Sequence, residues 1–201
     1  MIFLILFSGP NLLAQTRLTP KEYAVYASVL KAIYKENRET YSNKSEFVLI
    51  NETKVDPELE MPSERKYRGL LKDFNRKNLT PGIVERKFSR GAYSVTYHLV
   101  SQAEIDDLSE KGRLEYEKRY AVDRLNPRIV NPGGSSYTVF YQKYPESSGY
   151  YYLSRVGFSG QLAIVQVKGD LGWTGFSRIY ILRKLKGKWR TISASGIESI
   201  S

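Results

Sequence analysis

Six basic residues, Arg178, Arg183, Lys184, Lys186, Lys188 and Arg190, fall between Leu171 and Ile197 with no acid among them. Trp173, Tyr180 and Trp189 are interleaved with them. Guanidinium and ammonium groups beside aromatic rings hold anionic or sugar-like ligands through charge and stacking. The expected binding set is therefore Trp173, Arg178, Tyr180, Arg183, Lys184, Lys186 and Lys188. A plainer use comes first, because cations on an edge hairpin discourage strand-to-strand aggregation.

Other chemistries have less to work with. His98 is the single imidazole available as a general base. It shares the polar face of its strand with Thr96 and Ser94, but residues two apart on a strand stand about 7 Å apart, beyond hydrogen-bond reach. No G-x-S-x-G elbow is present, and no catalytic residue is assigned. A glycosidase-like carboxylate pair could draw on Glu46, Glu52, Asp56, Glu58 and Glu60. Among 21 acids such pairs arise by chance. One histidine, no cysteine and no acidic calcium loop leave no metal site and no cofactor expected. The missing cysteines also exclude disulfides and thiolate chemistry. Gly169–Gly175 lacks the strand-to-helix setting of a phosphate loop.

These residues must be positioned by a chain of 201 residues, long enough for one domain with a real core. Sixteen tyrosines favour a sheet with one wetted face, since tyrosine buries its ring while its hydroxyl stays wet. The net charge of +10 attracts anions. No positive cluster is dense enough for a nucleic-acid arm, so nucleic acid is not the expected partner.

Thr19, Pro20 and Glu22 open a helix, and Tyr23, Tyr26, Ala27, Leu30, Ile33 and Tyr34 give it one apolar face ending near Arg38. The segment near 46–53 reads as a strand, Ser63–Lys77 as a helix, and Ala92–Ser101 as an alternating strand. Ser101-Gln102-Ala103-Glu104 is a capping box before a helix whose sparse apolar positions Ile105, Leu108 and Leu114 predict a surface location. Asn126–Ser136 is a loop. Tyr137–Lys143 fits a helix, with a strand as the alternative because Thr138 and Val139 are β-branched.

From Tyr150 onward the pattern is a meander of three to four strands. It comprises Tyr150–Phe158, Leu162–Val167, Phe176–Leu185 and, after a turn at Lys186-Gly187-Lys188, Trp189–Ile192. The order predicts an α+β fold, with N-terminal helices on a C-terminal antiparallel sheet that also takes in the strands near 46–53 and 92–101.

Met1–Gln15 is apolar, uncharged and broken by Ser8-Gly9-Pro10. That is the layout of a signal peptide cleaved near Ala14 or Gln15, although the usual positive start is missing. It is too short to span a membrane, and no later stretch does so. The expected location is secreted or periplasmic, with residues 16–201 as one mature domain.

Phe140–Pro145, Ser154–Phe158, Ala163–Val167 and Tyr180–Trp189 resemble matching segments in a set of uncharacterised secreted bacterial proteins. Many of those carry cysteines in the glycine-rich connection, where this chain has Gly169, Gly172 and Gly175 alone. The resemblance implies localisation and fold, not an activity. The closing hairpin is also similar to the last strands of NTF2-like domains. The functional expectation is a non-enzymatic domain that binds an anionic envelope polymer or a protein through its basic hairpin. The alternative is a hydrolase with His98 or a carboxylate in a cleft between helices and sheet.

Overall fold

The computed structural model describes residues 16–40, 46–56, 61–85, 88, 95–123, 135–172 and 174–200. The expected leader, Met1–Gln15, and the 126–134 part of the loop lie outside them.

In chain order come β1 (Thr16–Arg17), α1 (Pro20–Thr40), β2 (Glu46–Ile50), a 3-10 turn (Arg65–Tyr67) running into α2 (Arg68–Lys77), and β3 (Gly82–Ile83). Next are β4 (Thr96–Val100), α3 (Gln102–Asp123), α4 (Ser135–Lys143) and β5 (Ser147–Leu153). The chain closes with β6 (Gly157–Ser159), β7 (Leu162–Asp170), β8 (Thr174–Leu185) and β9 (Lys188–Ile200). The main sheet runs β4-β2-β5-β7-β8-β9, and β6 also pairs with β7. The fold is α+β.

The C-terminal strands are antiparallel, but β2 pairs parallel with both β4 and β5. The sheet is therefore mixed. Parallel neighbours need a crossover between them, and helix-bearing connections separate β2 from β4 and β4 from β5.

The sheet buries both faces. One face, with Phe47, Leu49, Tyr151, Val165, Tyr180 and Leu182, packs in a single cluster with α1. On the other face α3 and α4 cover the β2–β4–β5 half, while α2 covers the β7–β8 half. Thr19 and Glu22 cap α1 reciprocally: the Thr19 N–H and Oγ1 donate to Glu22 Oε2 at 2.9 Å each, and the Glu22 N–H donates to Thr19 Oγ1. The buried face of α1 is Val25, Tyr26, Val29, Leu30 and Ile33. Ala27 is exposed: the burial of Val25 and Val29 rotates the face away from it.

α3 is not wholly a surface helix. Ile105 and Leu108 are buried against α4 and the sheet, while Ala103, Asp106, Asp107 and Arg113–Glu115 are exposed. Its capping box is half formed. The Glu104 N–H reaches Ser101 Oγ at 3.1 Å, but the Glu104 carboxylate instead accepts Lys143 Nζ and the Tyr144 hydroxyl. Residues 137–143 are helical.

Two strand expectations change. The strand over Tyr150–Phe158 breaks at Ser154–Val156, where Arg155 turns toward α1. Asn78 replaces the ladder there: its Oδ1 accepts the Arg155 N–H at 2.8 Å and its Nδ2 donates to the Arg155 carbonyl at 3.1 Å. The return strand continues to Ile200 instead of stopping at Ile192, because β8 supplies partners along its whole length.

Candidate functional site

β8 and β9 meet in a two-residue turn at Lys186 and Gly187, both with positive φ (48° and 81°). That conformation matches the twist of a tight hairpin, and glycine adopts it without strain. β7 reaches only as far as Arg183, its partner at Leu162, so residues 184–189 project past the end of β7. Lys184 N–H, bonded to the Gln161 carbonyl at 2.8 Å, anchors the base of this projection.

Arg183, Lys184, Lys186, Lys188 and Arg190 are all exposed there. Among the described residues none of the five has an ion-pair partner. Arg183 lies directly across from Arg190, and Leu185 across from Lys188. Strand alternation puts these four side chains on one face, with Lys184 on the other opposite Trp189. Like charges directly opposed destabilise a sheet, so this arrangement carries a local electrostatic penalty.

The rest of the expected binding set sits elsewhere. Arg178 donates to Glu36 Oε2 at 2.6 Å and lies 5.0 Å over the Phe176 ring, which fastens β8 to α1. Tyr180 is 1% exposed, inside the α1 core. Trp173 lies outside the described residues. Trp189 is buried against Phe158, ring centroids 5.7 Å apart, with Lys21 Nζ 4.1 Å from the Phe158 centroid.

The sequence reading passed over Arg65, Lys66 and Arg68 at the entry to α2. All three are exposed. A Cβ on Gly69 would lie 3.1 Å from Ser159 Oγ, so the first turn of α2 rests on the β6–β7 turn, next to the hairpin base. Cations at a helix start oppose the helix dipole, and no acid occupies the first turn of α2. The last turn, with Arg76 and Lys77, follows the dipole as the sequence suggests, so the basic residues at the start were the visible signal.

A second cluster lies on the α3–α4 side. His98 Nε2 is 3.3 Å from Glu46 Oε1, although the geometry is not that of a hydrogen bond. Glu46 Oε2 and His98 Nε2 are both buried without a hydrogen-bond partner, while the side chains keep 19% and 30% exposure. The His98 ring is 5.0 Å from that of Tyr144, whose hydroxyl donates to Glu104 Oε1 at 2.8 Å. Burial, then Glu104, raises the Tyr144 pKa, so the hydroxyl stays protonated as a donor.

Nearby, Tyr137 and Tyr150 both donate to Asp170. Burial and Asp170 hold both phenols neutral, and the three groups tie α4 to the end of β7. Of the other acids on or after β2, Asp56 faces Lys168 at 3.6 Å; Glu58 and Glu60 lie outside the described residues. Among the described residues no three acidic or histidine side chains gather as metal ligands, and no helix is long and apolar enough to cross a membrane.

No family model matches the chain, and no curated protein does. Among solved structures, an NTF2-like protein of unknown function from Shewanella baltica OS155 is similar at 23% identity. The similarity covers 25% of this chain and 42% of that one, with a TM-score of 0.24. The matched part is thus less than half of that protein.

Proposed function

We propose that this chain is an exported, non-enzymatic binding module that holds a polyanion of the cell envelope on its basic hairpin tip. The observation that carries this reading is the set of five exposed cations, Arg183 to Arg190, with no ion-pair partner among the described residues. Uncompensated charge of one sign attracts anions and raises their local concentration. Arg65 and Arg68 add positive charge where α2 packs by the β6–β7 turn, whereas Lys66 is paired with Glu64 at 4.0 Å.

The test is binding of the full chain to inorganic polyphosphate across a salt series. Binding should weaken steeply as salt rises. Reversing Arg183, Lys184 and Lys186 to glutamate should abolish it. Equal binding by wild type and the triple variant would end this reading. Export is tested by mass: a periplasmic form starting near Gln15 is expected, and a full-length cytoplasmic form would overturn it.

A second reading, a hydrolase, rests on the Glu46–His98 contact between the sheet and α3–α4. A carboxylate beside an imidazole is part of many general-base sites, and here the two lie 3.3 Å apart without a hydrogen bond. Ester and glycoside turnover lost in both Glu46→Gln and His98→Gln would support it. Turnover unaffected by either change would remove it.

A further inference from the structure

We infer that the anion held by the hairpin tip is the surface of an anionic lipid bilayer, with Leu185 entering the headgroup region. This rests on the polyanion reading above and names its ligand. Four large apolar side chains are prominently exposed among the described residues: Leu79, Leu114, Leu185 and Ile192. Two of them belong to the basic hairpin. Leu185 is 42% exposed and stands between Lys184 and Lys186; Ile192, 44% exposed, is the extra residue where the β8–β9 register shifts.

A polyanion dissolved in water needs only the charges. An exposed leucine beside them gains nothing from such a ligand and costs free energy in water. At a bilayer surface the same pairing is favourable. The leucine leaves water for the acyl boundary, and the lysine and arginine stems lie along apolar surface while their charged ends meet phosphate. Each basic residue near an anionic surface strengthens binding about fivefold.

The geometry fits this use. The tip projects beyond β7, so it can touch a flat surface first. Leu185 shares its face with Arg183, and with Arg190 and Lys188 across the ribbon. No acid lies between Leu171 and Ile197 to repel lipid phosphate. One leucine is too little apolar surface to hold a neutral bilayer, so binding must depend on anionic lipid.

The experiment is co-sedimentation of the full chain with phosphatidylcholine vesicles, with and without phosphatidylglycerol, alongside polyphosphate binding. The chain should bind only the vesicles containing phosphatidylglycerol. Leu185→Asn should weaken that binding about tenfold and leave polyphosphate binding unchanged. Because the chain has no cysteine, a fluorophore on Leu185→Cys reports depth directly. It should brighten on anionic vesicles, while the same probe on Leu114→Cys should not. Polyphosphate binding without vesicle binding would overturn the membrane proposal and leave the polyanion reading standing. So would a Leu185→Asn variant that binds vesicles as tightly as wild type. Failure to bind either ligand would overturn both.

Discussion

Arg155 Nε lies 3.2 Å from Glu22 Oε1, with the carboxylate fully buried and the guanidinium nearly so. This pair joins the first turn of α1 to the break between β5 and β6. Removing one partner strands a buried charge. Glu22→Ala should therefore destabilise the chain by about 3–5 kcal/mol, and the apolar double variant Glu22→Leu with Arg155→Met should recover much of that. Urea unfolding of the three proteins measures both effects. A double variant no more stable than Glu22→Ala would show that the capping bonds to Thr19, and not the ion pair, dominate.

Asn78 takes the place of a strand at the same break. Its side chain bonds the Arg155 N–H, the Arg155 carbonyl and the Phe74 carbonyl. Asn78→Ala takes these partners from the Arg155 N–H and carbonyl, while the main-chain N–H of residue 78 still holds the Phe74 carbonyl at 3.0 Å; the loss should lower stability by about 2–3 kcal/mol. Amide exchange read residue by residue should speed up at Arg155, whose N–H loses its acceptor. Exchange that quickens only at the chain ends would contradict this.

What the sequence made legible was local. The capping box of α1, the tight turn at Lys186-Gly187 and the alternation of β8 all rest on residues within a few positions of one another. What it hid was set by distant partners. Arg155 looks like a strand residue until Glu22, 133 positions away, is seen to claim it. Arg178 looks like a free cation until Glu36 is placed beside it. The parallel pairing of β2 is invisible because alternation reports which face a side chain takes, not strand direction. The site divided in the same way. The exposed cations lie together in the chain, whereas Glu46 and His98 meet only through the β2–β4 register.

Asp73 sets an acid limit. Burial pushes its carboxyl up, but bonds from Arg76, the Phe158 N–H and Lys77 outweigh this and hold it below its ordinary value of 3.8. A carboxylate whose folded pKa is depressed adds stability above the unfolded pKa. That stability is lost as pH falls through the folded value. Stability should therefore drop below about pH 4, and Asp73→Asn should flatten that part of the curve while lowering stability at pH 7. Melting temperatures from neutral pH down to the acid range read this out; parallel curves for the two proteins would show that other carboxylates govern the acid limb.

Arg183 and Arg190, opposed across the β8–β9 ribbon, separate binding from folding. If the cations serve a ligand, the chain tolerates their repulsion for function, and relieving it should trade affinity for stability. Arg190→Glu turns a like pair into an opposite one and should stabilise the hairpin by a few tenths of a kcal/mol. The same change removes one cation and adds an anion, so polyphosphate affinity should fall roughly tenfold or more. If the charges only guard the exposed edge, glutamate guards it as well as arginine. Binding would then be unchanged by Arg190→Glu, and the functional reading of the hairpin would fail even though the stability gain appeared.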